Sequence, residues 1–180
     1  MAEPSSKRFE VDWRERAAAV LEPDRPAVPL PAKLLADVYA HARECYPEEC
    51  CGLLLAPEGR LPQRIVRCTN VQTLRKSRGE SALDARYAYW IDERQLLRAL
   101  QEADERGELL AVVYHSHVDT EAYFSHADLQ GALGPEQEPL YPGAAHMVLS
   151  VREGGVRAAV CYVWDAGRRV FVGHPVVAVG

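Results

Sequence analysis

A continuous apolar run, Leu109 to Tyr114, leads directly into His115-Ser116-His117, and it constrains the fold more than any other stretch of the chain. A short run without polar interruptions is typical of a strand buried on both faces. Because side chains alternate in direction along a strand, His115 and His117 project the same way and Ser116 projects oppositely. The sequence therefore predicts a buried strand that delivers two imidazole rings to its end.

A carboxylate follows these histidines at helical spacing. Ser125 is a natural helix N-cap, and Asp128, three residues on, would lie in the first turn of that helix. Two imidazole nitrogens and one carboxylate oxygen suit a zinc ion, and a fourth position open to water would make the site catalytic. A polar surface loop with a capped helix behind it explains Ser125 and Asp128 equally well, but it does not explain the two histidines at the end of a buried strand.

Bulk properties favour an ordinary soluble chain. The 180 residues are 48% hydrophobic and 26% charged, which is enough for one good-sized core. A net charge of -5 without a Lys/Arg cluster argues against nucleic-acid binding through a basic face. No apolar run is long enough for a membrane span, and residues 1–10 lack the apolar core of a signal peptide. Five cysteines without framework spacing fit a reducing cytoplasm, where we expect the protein to reside.

The rest of the chain predicts one α/β or α+β domain, with helices around a mostly antiparallel mixed sheet. Residues 1–30 are predicted to be a proline-containing N-terminal arm, with a helical turn or two between Phe9 and Leu21, and residues 31–180 the domain itself. Helices are predicted for Pro31 to Cys45 and from Asp92 to Gly107. Strands are predicted for 53–55, 64–71, 145–151, 156–164 and 169–172, and 72–88 is predicted to be a mobile polar loop.

Hydrolysis of an amide at a zinc site also needs a base that takes a proton from the attacking water. Glu48 and Glu49, just ahead of the strand at Leu53, are the candidates, although a solvated acidic pair after a helix is the simpler interpretation of either residue alone.

Two stretches together resemble the JAMM (MPN+) metalloprotease family, in its stand-alone prokaryotic form. They are Pro47-Glu48-Glu49-Cys50-Cys51-Gly52 before the Leu53 strand, and His115-Ser116-His117 followed, after seven residues, by Ser125 and Asp128. The resemblance covers roughly residues 31–175 and implies an MPN-like, cytidine-deaminase-like fold.

The same resemblance implies a role for each motif residue. His115, His117 and Asp128 would bind one zinc ion per chain, Glu49 would be the general base, and Ser125 would donate a hydrogen bond to the oxyanion. Glu49 is preferred to Glu48 because the family pattern is Pro-x-Glu-x-Cys-Gly. The chain departs from many members at Val118 and Phe124, where proline is common.

The resemblance further implies an isopeptidase or peptidase that acts on ubiquitin-like or sulfur-carrier proteins ending in Gly-Gly. We expect 72–88 and 118–124 to form the walls of the substrate channel, with Tyr123 and Phe124 in contact with the substrate. The oligomeric state is not legible in the sequence.

Other functions fit the sequence less well. A cysteine nucleophile at Cys50 or Cys51 is disfavoured because both begin an apolar strand, where buried inert thiols are common. A zinc deaminase would need Pro-Cys-x-x-Cys, which is missing. A non-catalytic MPN scaffold typically loses ligands that are all present here. A general zinc peptidase, or a DNA-repair-associated relative, would share the metal motif, but the acidic chain lacks the His-Asn-His-Pro start usual in the latter.

Overall fold

The computed structural model describes residues 17–22 and 24–180. In this part of the chain one sheet of eight strands is flanked by helices on both faces, which confirms the predicted mixed α+β class. The strands are β1 (Val20–Leu21), β2 (Val28–Pro31), β3 (Cys51–Pro57), β4 (Arg64–Cys68), β5 (Glu108–Val118), β6 (Ala145–Arg152), β7 (Gly155–Asp165) and β8 (Val170–Val179). The helices are α1 (Ala32–Cys45), α2 (Gln72–Ser77), α3 (Glu93–Glu105) and α4 (His126–Ala132).

The sheet is mixed, with more antiparallel than parallel pairings among the described strands. Its strand order is β1-β8-β7-β6-β5-β3-β4. Strand β2 also pairs with β8, at residues that follow those paired with β1. The β3–β4, β3–β5, β6–β7 and β7–β8 pairs are antiparallel, whereas β5–β6, β1–β8 and β2–β8 are parallel. The histidine strand β5 therefore lies inside the sheet, between β3 and β6, as the apolar run predicts.

Alternation along β3 divides the core between the two faces of the sheet. Leu54 packs in the cluster that includes Val38 of α1, whereas its neighbour Leu53 packs in the cluster that includes Ala99 of α3. Both leucines are fully buried. Strand β5 follows the same rule, with Tyr114 on the α1 face and Val113 on the α3 face. The odd-numbered histidines of β5 thus project to the α3 face, away from α1.

The two predicted amphipathic helices are confirmed with small shifts at their ends. Helix α1 begins after Pro31, ends before Pro47 and buries Leu34, Leu35 and Val38. Helix α3 begins at the predicted cap, where the Asp92 carboxylate accepts from the backbone N–H of Gln95. The side chain of Gln95 does not complete a capping box but bonds Thr69 instead.

The segment 72–88 differs from the predicted mobile loop, because it begins with helix α2 and its turns are tied together. The buried amide of Gln72 donates to Ser81 Oγ and to the carbonyl of Leu83, and the Thr73 hydroxyl accepts from the N–H of Ala85. A six-residue polar helix has no apolar periodicity to predict it. Hydrogen bonds between side chains and backbone hold it in place.

The N-terminal segment contributes strands where it is described. Val20–Leu21 and Val28–Pro31 pair with β8, and the N–H of Ala18 donates to the carbonyl of Phe124. The predicted helical turns between Phe9 and Leu21 lie largely outside the described residues, and their described end contains β1 instead. The division into an arm and a domain at residue 30 stays a prediction. No helix in the described ranges is long and apolar enough to cross a membrane.

Gly52 lies at a point of β3 where there is no space for a side chain. A Cβ atom at this position would lie 2.4 Å from the Tyr114 ring and hydroxyl and 2.5 Å from the backbone oxygen of Val66. Tyr114 cannot easily move, because it is fully buried and its hydroxyl lies 2.8 Å from His41 Nδ1. The glycine of the sequence motif therefore has a packing role in this fold.

We predict that Gly52→Ala lowers the free energy of unfolding by about 2 kcal/mol, the usual scale for overpacking a core. Unfolding in urea measures it. Gly131→Ala is the matched control, because nothing lies within 4 Å of a Cβ there and the residue is in helix α4. That control should be neutral or stabilising by up to about 1 kcal/mol. Wild-type stability in the Gly52 variant would show that Tyr114 and β4 can separate without cost.

Candidate metal centre

The sheet brings the two histidines to one point. His115 pairs with Cys51 of β3 and with Val148 of β6, and His117 pairs with Ser150 of β6. Side chains two residues apart on a paired strand share a face, so both rings point to the α3 side of the sheet. Both residues are buried, with 0% and 5% of their surface exposed.

The first turn of helix α4 carries the third polar group. Ser125 is the N-cap, and its hydroxyl accepts from the N–H of Asp128 at 3.1 Å. The Asp128 carboxylate accepts in return from the N–H of Ser125 at 2.7 Å, which completes a capping box. The cap fixes the direction of the carboxylate while leaving its other oxygen atom available.

The three side chains meet with their polar atoms almost in contact. The Nε2 atoms of His115 and His117 are 3.2 Å apart, and Asp128 Oδ1 is 3.2 Å from His115 Nε2. Asp128 Oδ2 is 3.5 Å from His117 Nε2. His115, His117 and Asp128 form the one group among the described residues with the spacing of a metal site.

This spacing fits a single small cation. A tetrahedral zinc ion with its usual bond lengths separates neighbouring ligand atoms by about 3.3 Å, and the three distances lie between 3.2 and 3.5 Å. The ring of His117 is also oriented for the purpose, because its Nδ1 lies 3.0 Å from the carbonyl oxygen of Glu121. An Nδ1–H that donates to this carbonyl leaves the Nε2 lone pair facing the cluster.

The charge states of Asp128 and His115 suit a metal, whereas Asp128 and Glu49 raise the pKa of His117 despite its burial. Burial alone would raise the pKa of Asp128, but the charges and hydrogen bonds of His115 and His117 hold it well below the usual range. Burial lowers the pKa of His115, against the opposing influence of Asp128. An ionised carboxylate and a neutral imidazole are the forms that bind divalent metals.

Glu49 lies near this cluster, two residues before the first ladder pair of β3 at Cys51, and its charge interacts with those of His117 and Asp128. It is 5% exposed, whereas Glu48 is exposed to solvent. Burial raises the pKa of Glu49 to about 8, an effect that the charge of His117 opposes and that of Asp128 reinforces. A buried carboxyl whose pKa lies near neutrality is suited to exchange protons during a reaction.

The two serines of the motif differ in what they contact. Ser116 is fully buried on the opposite face, where its hydroxyl accepts from the N–H of Cys50 at 2.8 Å. Ser125 is half-buried, and its oxygen accepts from the backbone of Asp128. Because a hydroxyl that accepts one bond still has a hydrogen to give, Ser125 can donate to a bound molecule.

Aromatic rings enclose the histidines. Tyr89 stacks on His115 with ring centroids 4.3 Å apart and an interplanar angle of 21°. Tyr123, which is 7% exposed, meets His117 edge-on at 4.7 Å. The predicted substrate contact at Phe124 is wrong, because Phe124 is fully buried against Tyr162 and Phe171 in the core. The sequence gives no sign of which neighbour turns inward after an irregular loop.

The remaining histidines and cysteines have other surroundings. His146 is buried between the rings of Phe124 and Phe171, and burial lowers its pKa to about 4. Burial raises the pKa of the Cys50 thiol to about 12 and that of Cys51 further still. Thiols that resist ionisation are poor nucleophiles, so the burial of Cys50 and Cys51 disfavours cysteine catalysis.

Sequence reasoning missed Asn70 and the stacking role of Tyr89. Asn70 falls within the strand predicted for 64–71, but β4 ends at Cys68 and the side-chain amide of Asn70 bonds four backbone groups around the site. Asparagine is disfavoured in strands and often bonds backbone, which is the signal that could have found it. No comparable signal marks Tyr89.

The fold and the site together define a JAB-type domain. The chain matches the family model of prokaryotic homologs of the JAB domain over residues 31–162, and it belongs to that family. The match confirms the resemblance to stand-alone prokaryotic JAMM proteins that the two sequence motifs indicate.

Relatives and solved structures agree with this membership. The chain is 37% identical over 106 residues to the CysO-cysteine peptidases of Mycobacterium bovis and Mycobacterium tuberculosis, an alignment that covers 58% of this chain. The match spans 65% of the length of these relatives. The fold of this chain is similar to that of a protein from Desulfitobacterium hafniense, with a TM-score of 0.61, 20% identity and coverage of 84% of this chain and 92% of the other. It is also similar to a protein from Salinibacter ruber, with a TM-score of 0.56, 27% identity and coverage of 84% of this chain and 92% of the other.

We predict that the purified protein holds one divalent metal ion per chain, and that His117→Ala or Asp128→Ala loses it. Each substitution removes one of only three protein ligands. Elemental analysis after gel filtration gives the stoichiometry. His126→Ala is the matched control, because its exposed side chain is a neighbouring imidazole outside the cluster. Full metal occupancy in both ligand variants would show that the cluster does not bind the ion.

Proposed function

We propose that the protein is a zinc-dependent peptidase that hydrolyses the amide bond after the C-terminal Gly-Gly of a sulfur-carrier or other ubiquitin-like protein. The observation that carries the proposal is the convergence of His115, His117 and Asp128 beside the buried carboxyl of Glu49. A metal site without a base would fit a structural ion, and a base without a metal site would have no activated water to act on.

Zinc is the metal that this donor set suits best. Two imidazoles and one carboxylate at near-tetrahedral spacing match catalytic zinc sites, whereas magnesium and calcium prefer all-oxygen sites. Bound zinc would supply a Lewis acid and lower the pKa of a water molecule. The further steps belong to residues of this chain.

Glu49 and Ser125 divide the remaining work. Glu49 would take a proton from the attacking water and pass it to the departing amine, which its raised pKa permits. Ser125, at the start of helix α4, would donate its hydroxyl hydrogen to the carbonyl oxygen as negative charge develops there. The carbonyl of Glu121 accepts from the Nδ1–H of His117, which holds the ring in the tautomer whose Nε2 lone pair faces the cluster.

The substrate class follows from the relatives and from the character of the tail. The similar mycobacterial proteins are named CysO-cysteine peptidases, which supports a carrier protein as the partner here. A tail of two glycines has no side chains to exclude from a site enclosed by Tyr89 and Tyr123. The exposed part of 72–88 remains the proposed wall of the channel, and the cytoplasm the proposed compartment.

A general zinc peptidase is the alternative that the same metal site would serve. A non-catalytic scaffold is less well supported, because all three candidate metal ligands are present and the carboxyl of Glu49 is buried near them. The two experiments that follow separate these possibilities.

We predict that Glu49→Gln keeps the metal but lowers hydrolysis by about 100-fold or more, the usual scale for a positioned general base. Glu48→Gln is the matched control and should have a mild effect, because Glu48 is exposed. Turnover and metal content are measured on the same samples. If the two variants exchanged phenotypes, the base would be Glu48.

We also predict cleavage directly after the Gly-Gly end of carrier proteins encoded in the same genome, read from the masses of the products. Replacing the last glycine of the carrier with a bulky residue should abolish turnover, because a side chain there has no space in a narrow channel. Metal content and fold of the enzyme are untouched by this change. Equal cleavage of Gly-Gly and Val-Val tails, or activity on unrelated unfolded peptides, would favour the general peptidase.

A further inference from the structure

Asn70 lies just after β4 and uses both ends of its side-chain amide. Its Nδ2 donates to the carbonyl oxygens of Glu49 at 3.0 Å and Ala88 at 3.1 Å. Its Oδ1 accepts from the N–H groups of Gln72 at 3.0 Å and Trp90 at 3.1 Å. All four bonds reach backbone atoms, so one side chain joins three segments that are distant in sequence.

These bonds connect the candidate base to the environment of a candidate metal ligand. Ala88 and Trp90 flank Tyr89, and the Tyr89 ring stacks on His115. The same segment also receives the other backbone group of Glu49, whose N–H donates to the carbonyl of Ala85 at 2.7 Å. The main chain of Glu49 is therefore fastened on both sides to residues 85–90, and Asn70 makes one of the two attachments.

We propose that Asn70 is a positioning residue, which sets where the Glu49 carboxyl lies relative to the metal ligands. The inference rests on the proposed function, because it assigns a partner to the base of that reaction. Glu49 precedes the first ladder pair of β3, at Cys51, so regular strand pairing does not fix it. A base must lie within hydrogen-bond reach of its proton, and a misplacement of about 1 Å can cost about 100-fold in rate.

Only an amide can make this set of bonds. Aspartate has the same shape and can still accept from Gln72 and Trp90, but it cannot donate to Glu49 and Ala88. It would instead place an oxygen opposite two carbonyl oxygens, which repel it. Asn70→Asp therefore releases the Glu49 attachment while it retains the bonds on the opposite side of the amide.

The test compares Asn70→Asp with Gln95→Ala. Gln95 is the matched control because its amide also ties backbone beside β4, through Thr69, without contacting Glu49. We expect kcat to fall by about 10-fold or more in Asn70→Asp, with KM within about twofold and metal content unchanged. Gln95→Ala should keep the wild-type kcat. An unchanged kcat in Asn70→Asp, or an equal loss in Gln95→Ala, would overturn the proposal.

A double-mutant cycle separates positioning from general damage. If Asn70 acts through Glu49, adding Asn70→Asp to Glu49→Gln should lower the residual turnover by less than about twofold. A purely structural role would lower turnover by the same factor in both backgrounds, and that result would contradict the proposal. Asn70→Ala, which also lacks a donor for the Glu49 carbonyl, carries the same cycle if the aspartate variant does not fold.

Hydrogen exchange gives a readout that does not require turnover. Releasing the carbonyl of Glu49 from Asn70 should also loosen the bond from the Glu49 N–H to Ala85. This N–H should therefore exchange at least about 10-fold faster in Asn70→Asp than in wild type, and Gln95→Ala should leave it unchanged. If the wild-type protein cleaves no carrier, the proposed function fails while this measurement still decides whether Asn70 holds Glu49. Unchanged exchange at Glu49 in an active enzyme would reject the Asn70 assignment alone.

Discussion

The site depends above all on the antiparallel pairing of β3 with β5. This pairing places Cys50 opposite Ser116, where the N–H of Cys50 donates to the serine hydroxyl and the N–H of Ser116 donates to the Cys50 carbonyl. Glu49 is one residue before Cys50, and His115 and His117 lie on either side of Ser116. A single step of register would move both histidines to the α1 face. The pairing therefore decides whether Glu49 meets His115, His117 and Asp128 at all.

The polar atoms of the cluster need a positive charge among them. The Asp128 carboxylate and the Nε2 atoms of His115 and His117 lie within 3.2–3.5 Å of one another in a buried setting. Three groups that all presented lone pairs would repel, and burial removes the water that would otherwise solvate them. Protons on the histidines can supply the positive charge, which agrees with the lowered pKa of Asp128. A divalent ion would satisfy every inward lone pair at once.

The sequence was sufficient for the parts of the structure that rest on regular patterns. The apolar run before His115, the helical spacing around Val38 and the capping residues Asp92 and Ser125 each predict an element that the structure contains. The fold class and the convergence of His115, His117 and Asp128 follow from these elements together with the family motifs.

The features that the sequence does not predict depend on contacts between distant segments. Helix α2 is held by bonds from Gln72 and Thr73 to the loop that follows, and none of these bonds produces a periodic pattern. Phe124 and Tyr123 are adjacent aromatics after an irregular loop, so alternation rules do not say which one enters the core. Tyr89 became part of the site only because residues 85–90 fold back across β3 toward His115.

Different parts of the structure hold the different residues of the site in place. The histidines belong to a strand with ladder partners on both sides, and Asp128 belongs to a capped helix. Glu49 has neither support. Its burial raises its pKa and also removes the water that could orient it. A buried carboxyl outside regular structure needs its backbone fixed by other means. The bonds from Asn70 and to Ala85 fix the backbone of Glu49, so the proposed base depends on the contacts that are least visible in the sequence.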